Sequence, residues 1–484
     1  MRAETGSVVR RPDRTAPWSR DRAAAAGVVE RLAWLAFGAL VIVSPLRAHV
    51  VIAERPLPPV YEAYTDIVVA WSEIALFALV VLWLVGRWLR PRPLAFGPPM
   101  LATLLGALLG LAWLSSVFSS DPALAASNAL GLTLAGGLAL YVVNEIDRPG
   151  RVVPLVAVAI VVQGVLALAQ VAGQSSIGLS LLGEHVVTPA TAGASVVAAA
   201  DGTRLLRGYG LADHPNILGG ILAAGGLLVA VAPGRLRSGA STALAVALVV
   251  AALALFVTFS RSAWLAAGIG VVVAALMLAR AREGAALRRL GLVGAIAVAG
   301  VVALAVPFAP YLATRLEPGR DDVALEARSL DERAALAAAT VRVAAAHPLI
   351  GVGAGVLPTA LRASEPGFAF SYQPAHLVPL TVAAEIGAAG AVAWLGAALA
   401  PWILAWRARR TWTRELAAAT GALAALTVVS LFDYYPWTFP AGRIWWWLAI
   451  ALWIVAWRQA VADAPGRATS RVRAIAGSED RPGA

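Results

Sequence analysis

The chain has 484 residues, of which 60% are hydrophobic and only 14% charged, a balance that excludes a soluble protein of this size. The formal net charge of +11 rests on 39 basic residues, all of them arginine; in so apolar a chain this excess signals membrane topology rather than nucleic-acid binding. There is no cysteine, so disulfides, thiol catalysis and cysteine metal sites are excluded.

Residues 1–29 are polar and carry Arg10, Arg11, Arg14, Arg20 and Arg22. The apolar run behind them shows no convincing small-residue cleavage site, so a cytoplasmic tail leading into a retained first helix is expected. A helix needs about 20 apolar residues to cross a bilayer. Such stretches occur at 30–47, 67–86, 99–118, 123–143, 152–172, 213–232, 240–258, 262–279, 290–309, 377–398, 415–432 and 442–457. The predicted fold is all-α, a polytopic membrane protein with about twelve transmembrane helices. Residues 30–457 form its membrane domain, and 458–484 a basic cytoplasmic C-terminal tail.

Charge asymmetry sets the orientation. With the N-terminus inside, the cytoplasmic links hold Arg87, Arg90 and Arg92, then Arg148 and Arg151, then Arg235 and Arg237. Further along come Arg280, Arg282, Arg288 and Arg289, and finally Arg407, Arg409, Arg410 and Arg414. That side carries more than twice the arginines of the other, so the positive-inside rule places both termini in the cytoplasm. All five histidines (His49, His185, His214, His347, His376) then fall at or beyond the outer boundary.

Two outer loops are long, about 173–212 and 310–376, and long loops tend to carry function. In the second, Asp321 to Ala346 reads as a helix with an acidic start at Asp321, Asp322 and Glu326. Leu325, Leu336 and Val341 are its candidate apolar stripe. The run Gly351-Val352-Gly353-Ala354-Gly355 lacks the Lys and Ser/Thr of a phosphate loop and reads as a flexible loop. Asp321-Asp322 reads as a solvated helix start rather than a metal site, and no His/Cys/carboxylate cluster has metal spacing.

Four places have the residue types for chemistry. Arg204 and the run Arg207-Gly208-Tyr209-Gly210-Leu211-Ala212-Asp213-His214-Pro215-Asn216 lead into the sixth span. Pro215 suits the first helical turn and Asp213 the N-cap; with Asn216, the free amides make an anion-friendly helix start. Simple capping is the plainer alternative. Thr258-Phe259-Ser260-Arg261-Ser262 joins two spans with almost no loop, so Arg261 faces protein or water, or else snorkels to headgroups. Arg333 stands in Asp331-Glu332-Arg333, where a local ion pair is the plainer reading. His376, between a polar loop and an apolar helix, has the side chain most used to take a proton from a hydroxyl, although a structural histidine is the commoner case. Tyr209 and Tyr372 are candidates for stacking on sugar rings, and Tyr434 and Trp437 read as interfacial anchors.

The order of these motifs resembles the O-antigen ligase and Wzy-type polymerase superfamily, which also includes bacterial O-linking oligosaccharyltransferases. The resemblance rests on Arg207-Gly208-Tyr209-Gly210 with His214-Pro215-Asn216, on Thr258 to Ser262, on Arg333, on His347-Pro348-Leu349-Ile350-Gly351 and on His376 with Glu385-Ile386-Gly387. The family commonly has a polar residue after the histidine, where this chain has Leu377. The resemblance implies a metal-independent, cofactor-free glycosyltransferase at the outer face of the cytoplasmic (inner) membrane. It would move a glycan from an undecaprenyl-diphosphate carrier to an acceptor hydroxyl on a glycan, lipid or protein, with no nucleic acid involved. The family's catalytic residues map onto Arg261, Arg333 and His376, with Arg204, Arg207, Tyr209, His214 and Asn216 as substrate-binding candidates. The alternative is a transporter or flippase of lipid-linked glycan. It predicts related halves or broken spans with mid-membrane polar residues, whereas the ionisable residues here are expected to gather at one face.

Overall fold

A computed structural model describes residues 17–230, 238–316 and 324–463. Each of the twelve apolar segments contains a helix. The first five helices are α1 (Pro17–Val43), α2 (Trp71–Leu89), α3 (Pro99–Val117), α4 (Pro122–Glu145) and α5 (Val153–Gly173). After a long link come α6 (Pro215–Ala230), α7 (Ser238–Val257), α8 (Arg261–Ala281) and α9 (Gly284–Ala305). The second long segment holds α10 (Ala309–Leu316), α11 (Ala324–Ala346) and α12 (Leu357–Ser364). The chain then runs through α13 (Val378–Arg407), α14 (Arg414–Ser430), the one-turn α15 (Tyr435–Thr438) and α16 (Pro440–Ala462).

Among the described residues, ten helices are long and apolar enough to cross a membrane. About twelve spans were expected; the two that fall short are α6, with 16 described residues, and α14, with 17. Both lie in the middle of the bundle. α6 packs against α5, α7, α8 and α14, and α14 against α8 and α16. A helix enclosed by other helices is not held to the bilayer's thickness, because protein rather than lipid surrounds it. Small residues allow the closest approach. A Cβ on Gly270 of α8 would lie 2.8 Å from the carbonyl oxygen of Gly421 on α14, and the reverse is also true.

Local structure departs from hydropathy at several points. α1 begins at Pro17, inside the expected tail, because the alanine run Ala23–Ala26 favours helix. Arg10, Arg11, Arg14, Arg235, Arg237, Asp321 and Asp322 lie outside the described residues. The links before α2 and α6 contain two short antiparallel ribbons that hydropathy does not reveal. β1 (His49–Ala53) pairs with β2 (Ile67–Ala70), and β3 (Val196–Ala198) with β4 (Arg204–Leu206). On α11 the buried face is Leu336, Ala339 and Val343, whereas Val341, expected in the apolar stripe, is 52% exposed.

The largest departure is in α13. The helix is broken at Ile386 (φ −128°, ψ 17°) and Gly387 (φ 83°, ψ 173°). The break lies roughly 12 Å along the helix from its start, at 1.5 Å per residue. Orphaned backbone groups in a membrane need partners, and the glycine loop supplies them. Val352 N donates to Ala384 O (3.0 Å), Gly353 N to Glu385 O (2.8 Å), and Ala388 N to Pro348 O (2.8 Å). Ser115 Oγ on α3 adds a bond to Glu385 O at 2.7 Å. The loop expected to be flexible is therefore a fixed splice. Its glycines let the two backbones touch: a Cβ on Gly387 would sit 2.2 Å from Leu349 O. Gly387→Ala is expected to cost about 3 kcal/mol or more, from left-handed strain plus this clash. Thermal unfolding in detergent checks it; a midpoint equal to wild type would refute the splice.

Candidate active site

The segment entering α6 is sewn into the protein before it reaches the helix. Gln170 Oε1 on α5 accepts from the amides of Tyr209 (3.1 Å) and Gly210 (2.8 Å). The Tyr209 ring is 3% exposed, and its hydroxyl accepts from Ser195 N at 2.6 Å. Arg204 stays at the exposed end of the β3–β4 ribbon. Arg207, just beyond β4, turns inward and is 5% exposed. Its guanidinium donates to Thr258 O (2.6 Å), Ser195 Oγ (2.7 Å) and Asn216 Oδ1 (2.6 Å).

His214, not Asp213, caps α6. The imidazole Nδ1 accepts from Asn216 N at 3.1 Å, and His214 O accepts from Ile217 N at 3.0 Å. Asp213 is drawn away instead, to Arg47 Nε (2.7 Å) and His185 Nε2 (3.4 Å). A charge-assisted pair is stronger than a cap bond, which is why the better capping residue by type does not cap. An imidazole accepting through Nδ1 is neutral, with its proton on Nε2. Burial pushes the His214 pKa down to about 3, and the Arg207 charge adds to this.

Arg261 is the first residue of α8. The turn before it is tight: Phe259 has φ 49°, and Ser260 Oγ caps the helix by accepting from Ala263 N. The carbonyl of Thr258 in this turn is the one Arg207 holds, and Gly208 N bonds to Val257 O at 2.9 Å. The start of α8 is thus tied to the segment that enters α6.

The third contribution comes from α11 and the start of α13. Arg333 is half-buried, and its Nε has no hydrogen-bond partner among the described residues. The local ion pair does not form; Glu332 Oε1 instead accepts from Gln373 Nε2 at 2.9 Å. His376 is half-buried two residues before α13, and its buried Nδ1 has no hydrogen-bond partner among the described residues. Its ring meets that of Tyr434 edge-on, with centroids 4.9 Å apart. Burial lowers the His376 pKa to about 4; Asp433 opposes the shift and Arg333 adds to it. The imidazole is therefore neutral at pH 7. If a neutral His376 is required for turnover, the rate is expected to stay flat from pH 7 to 5 and to fall only towards pH 4. An acid limb near the ordinary histidine value of about 6.5 would show the imidazole in water instead.

Asp433 closes the cluster. It lies between α14 and α15, is 5% exposed, and accepts from Asn216 Nδ2 at 2.8 Å. Sequence reading passed over it. The only signal was a single acid in the otherwise apolar outer link from Phe432 to Trp437. Arg207, Asn216, Asp433, His376 and Arg333 thus gather from four separate stretches of chain, with His214 beside them.

Residues 246–395 match the O-antigen ligase family (Wzy_C). That match supports the O-antigen ligase/Wzy superfamily. A search of curated proteins finds no match.

The O-antigen ligase domain runs from within α7 to within α13 and contains Arg261, Arg333 and His376. Arg207, Asn216 and Asp433 lie outside it and are joined to it only by the fold. Two guanidiniums, an arginine-anchored asparagine and a neutral imidazole suit an anionic phosphate beside a hydroxyl that must lose a proton. The expected ring-stacking and anchoring aromatics have other roles. Tyr372 is 3% exposed and donates to Glu365 O at 2.8 Å. Tyr434 bonds Gln373 Oε1 at 2.9 Å and the Tyr64 hydroxyl at 2.8 Å. Trp437 is 3% exposed inside the protein rather than at a lipid interface.

Proposed function

We propose that this membrane protein is a glycosyltransferase that moves a glycan from an undecaprenyl-diphosphate carrier to an acceptor hydroxyl. The reaction is metal-independent and inverting, at the outer face of the cytoplasmic membrane, with both termini inside. The observation that carries the reading is the cluster Arg207–Asn216–Asp433 beside His376 and Arg333, next to an O-antigen ligase domain.

Cleaving the sugar–diphosphate bond puts negative charge on phosphate oxygens. Arg261 and Arg333 bind and stabilise that leaving group, and arginine's planar fork suits it better than lysine would. His376 accepts the acceptor's proton as the hydroxyl attacks the anomeric carbon. A single displacement inverts the configuration. Arg207, His214 and Asn216 hold the carrier or glycan, with Arg204 further out and the buried Tyr209 ring bracing His214.

The test is transfer in proteoliposomes from a labelled undecaprenyl-diphosphate oligosaccharide to a panel of glycan, lipid and protein acceptors, with and without EDTA. Transfer that survives EDTA is expected, and the acceptor labelled names the subclass. Label that crosses the bilayer with no transfer to any acceptor would replace this reading with transport.

One observation favours transport. α13 is a broken helix, and Glu385 and Arg443 are ionisable groups inside the bundle, contrary to the expected gathering at one face. The enzyme reading is preferred because the break is filled by the 348–353 backbone rather than lining a cavity.

A further inference from the structure

Beneath the outer cluster the bundle holds two ionisable side chains, a costly placement that usually marks a role. Glu385, in α13 immediately before the break, is fully buried, and Arg443 on α16 is 5% exposed. Both hold Trp437. Glu385 Oε2 accepts from Trp437 Nε1 at 2.7 Å, and Arg443 Nε donates to Trp437 O at 2.6 Å. Arg443 is itself steadied by Asn128 Oδ1 on α4, at 2.5 Å. Glu385 Oε1 has no hydrogen-bond partner among the described residues.

Trp437 belongs to α15, the single turn that follows Asp433 and Tyr434. Its amide bonds Tyr434 O at 3.0 Å. Tyr434 lies against the His376 ring, and Asp433 accepts from Asn216. His376 lies two residues before α13, and Glu385 lies further along that same helix. A closed path therefore runs from His376 along α13 to Glu385, across to Trp437, and back through α15 to the corner that touches His376.

We propose that Glu385 and Arg443 are positioning residues that clamp Trp437 and so hold the Asp433–Tyr434 corner against His376. The Arg443 guanidinium is offset inside the bundle first by Glu73 on α2 and then by Glu385. The clamp fixes the distance between α13 and α15, which hydrophobic packing alone would leave adjustable by a few tenths of an ångström. Its effect on turnover rests on the transferase reading; its effect on the corner does not.

The experiment uses the full chain in proteoliposomes. Because the protein lacks cysteine, Phe432→Cys places a single spin label beside Asp433, at a position 42% exposed. The label's mobility and the kinetics per folded protein are compared in Glu385→Gln, Glu385→Leu and Trp437→Phe; the kinetics are measured without the label. Glu385→Gln keeps an oxygen for the indole N–H. It is expected to leave the label immobile and kcat within about threefold of wild type. Glu385→Leu and Trp437→Phe each break the bond from one side. Both are expected to mobilise the label and lower kcat roughly 10–100-fold at unchanged donor KM. An immobile label with unchanged kcat in both variants overturns the clamp. A label that responds in a protein that transfers no glycan upholds the clamp and removes the transferase reading.

Discussion

His376→Gln is expected to reduce glycan transfer by about 10²–10⁴-fold, the usual contribution of a positioned general base. Glutamine keeps a polar group of similar reach but does not take up a proton at neutral pH. The loss should fall on kcat, because His376 is placed to act on the acceptor while Arg261 and Arg333 are assigned the donor's diphosphate. Initial rates in proteoliposomes at saturating donor check this. Activity within tenfold of wild type would remove His376 as the base and move attention to Asp433, the carboxylate beside it. Two neutral histidines also bear on stability. Their folded pKa values lie below the unfolded value of about 6.5. The native state therefore refuses protons that the unfolded chain accepts. Stability is full above pH 6.5 and falls as pH drops from there towards 4, so rate and unfolding are best measured on the same samples.

Arg207→Lys is expected to be nearly as damaging, by a different route. The guanidinium reaches three acceptors on three segments: Thr258 O beside α8, Ser195 Oγ in the outer loop and Asn216 Oδ1 on α6. An ammonium on a flexible stem does not span all three. Losing two bonds to a buried charge costs about 3–5 kcal/mol. Released from Arg207, Asn216 no longer presents its amide to Asp433, so the corner beside His376 also shifts. Displacements of about 1 Å near reacting groups cost on the order of 100-fold in rate. Thermal unfolding in detergent and single-turnover transfer would show both losses together. A variant with wild-type stability would mean that Arg207 is not the strut the geometry makes it.

Much of the fold could be read from the chain. Every apolar stretch contains a helix, although 67–70 of the second is strand, and the turn at Thr258–Ser262 is as tight as its spacing required. The bounds erred where propensity and hydropathy disagree, as at Pro17, and where helix length is set by neighbours, as in α6 and α14. The site was legible only in pieces. Arg261, Arg333 and His376 were singled out, and of these the fold shows Arg333 and His376 close enough for their charges to interact. Asp433 was missed because a lone acid in a short link looks like any solvated residue until Asn216 is found opposite it.

Hydropathy, arginine bias and small-residue content are properties of short windows, and they add along the chain. The sequence alone therefore determined the helices, the expected side on which each link lies, and which polar residues share that side. Partnership is not additive. Asn216 meets Asp433 across 217 residues, and Glu385 meets Trp437 across 52. Asp213 gave up the α6 cap because Arg47, 166 residues away in sequence, is folded beside it. The splice of Val352 and Gly353 into the break of α13 is of the same kind. Only the tertiary structure decides such pairs, because a buried polar group takes whichever partner the packing of helices brings within hydrogen-bond reach.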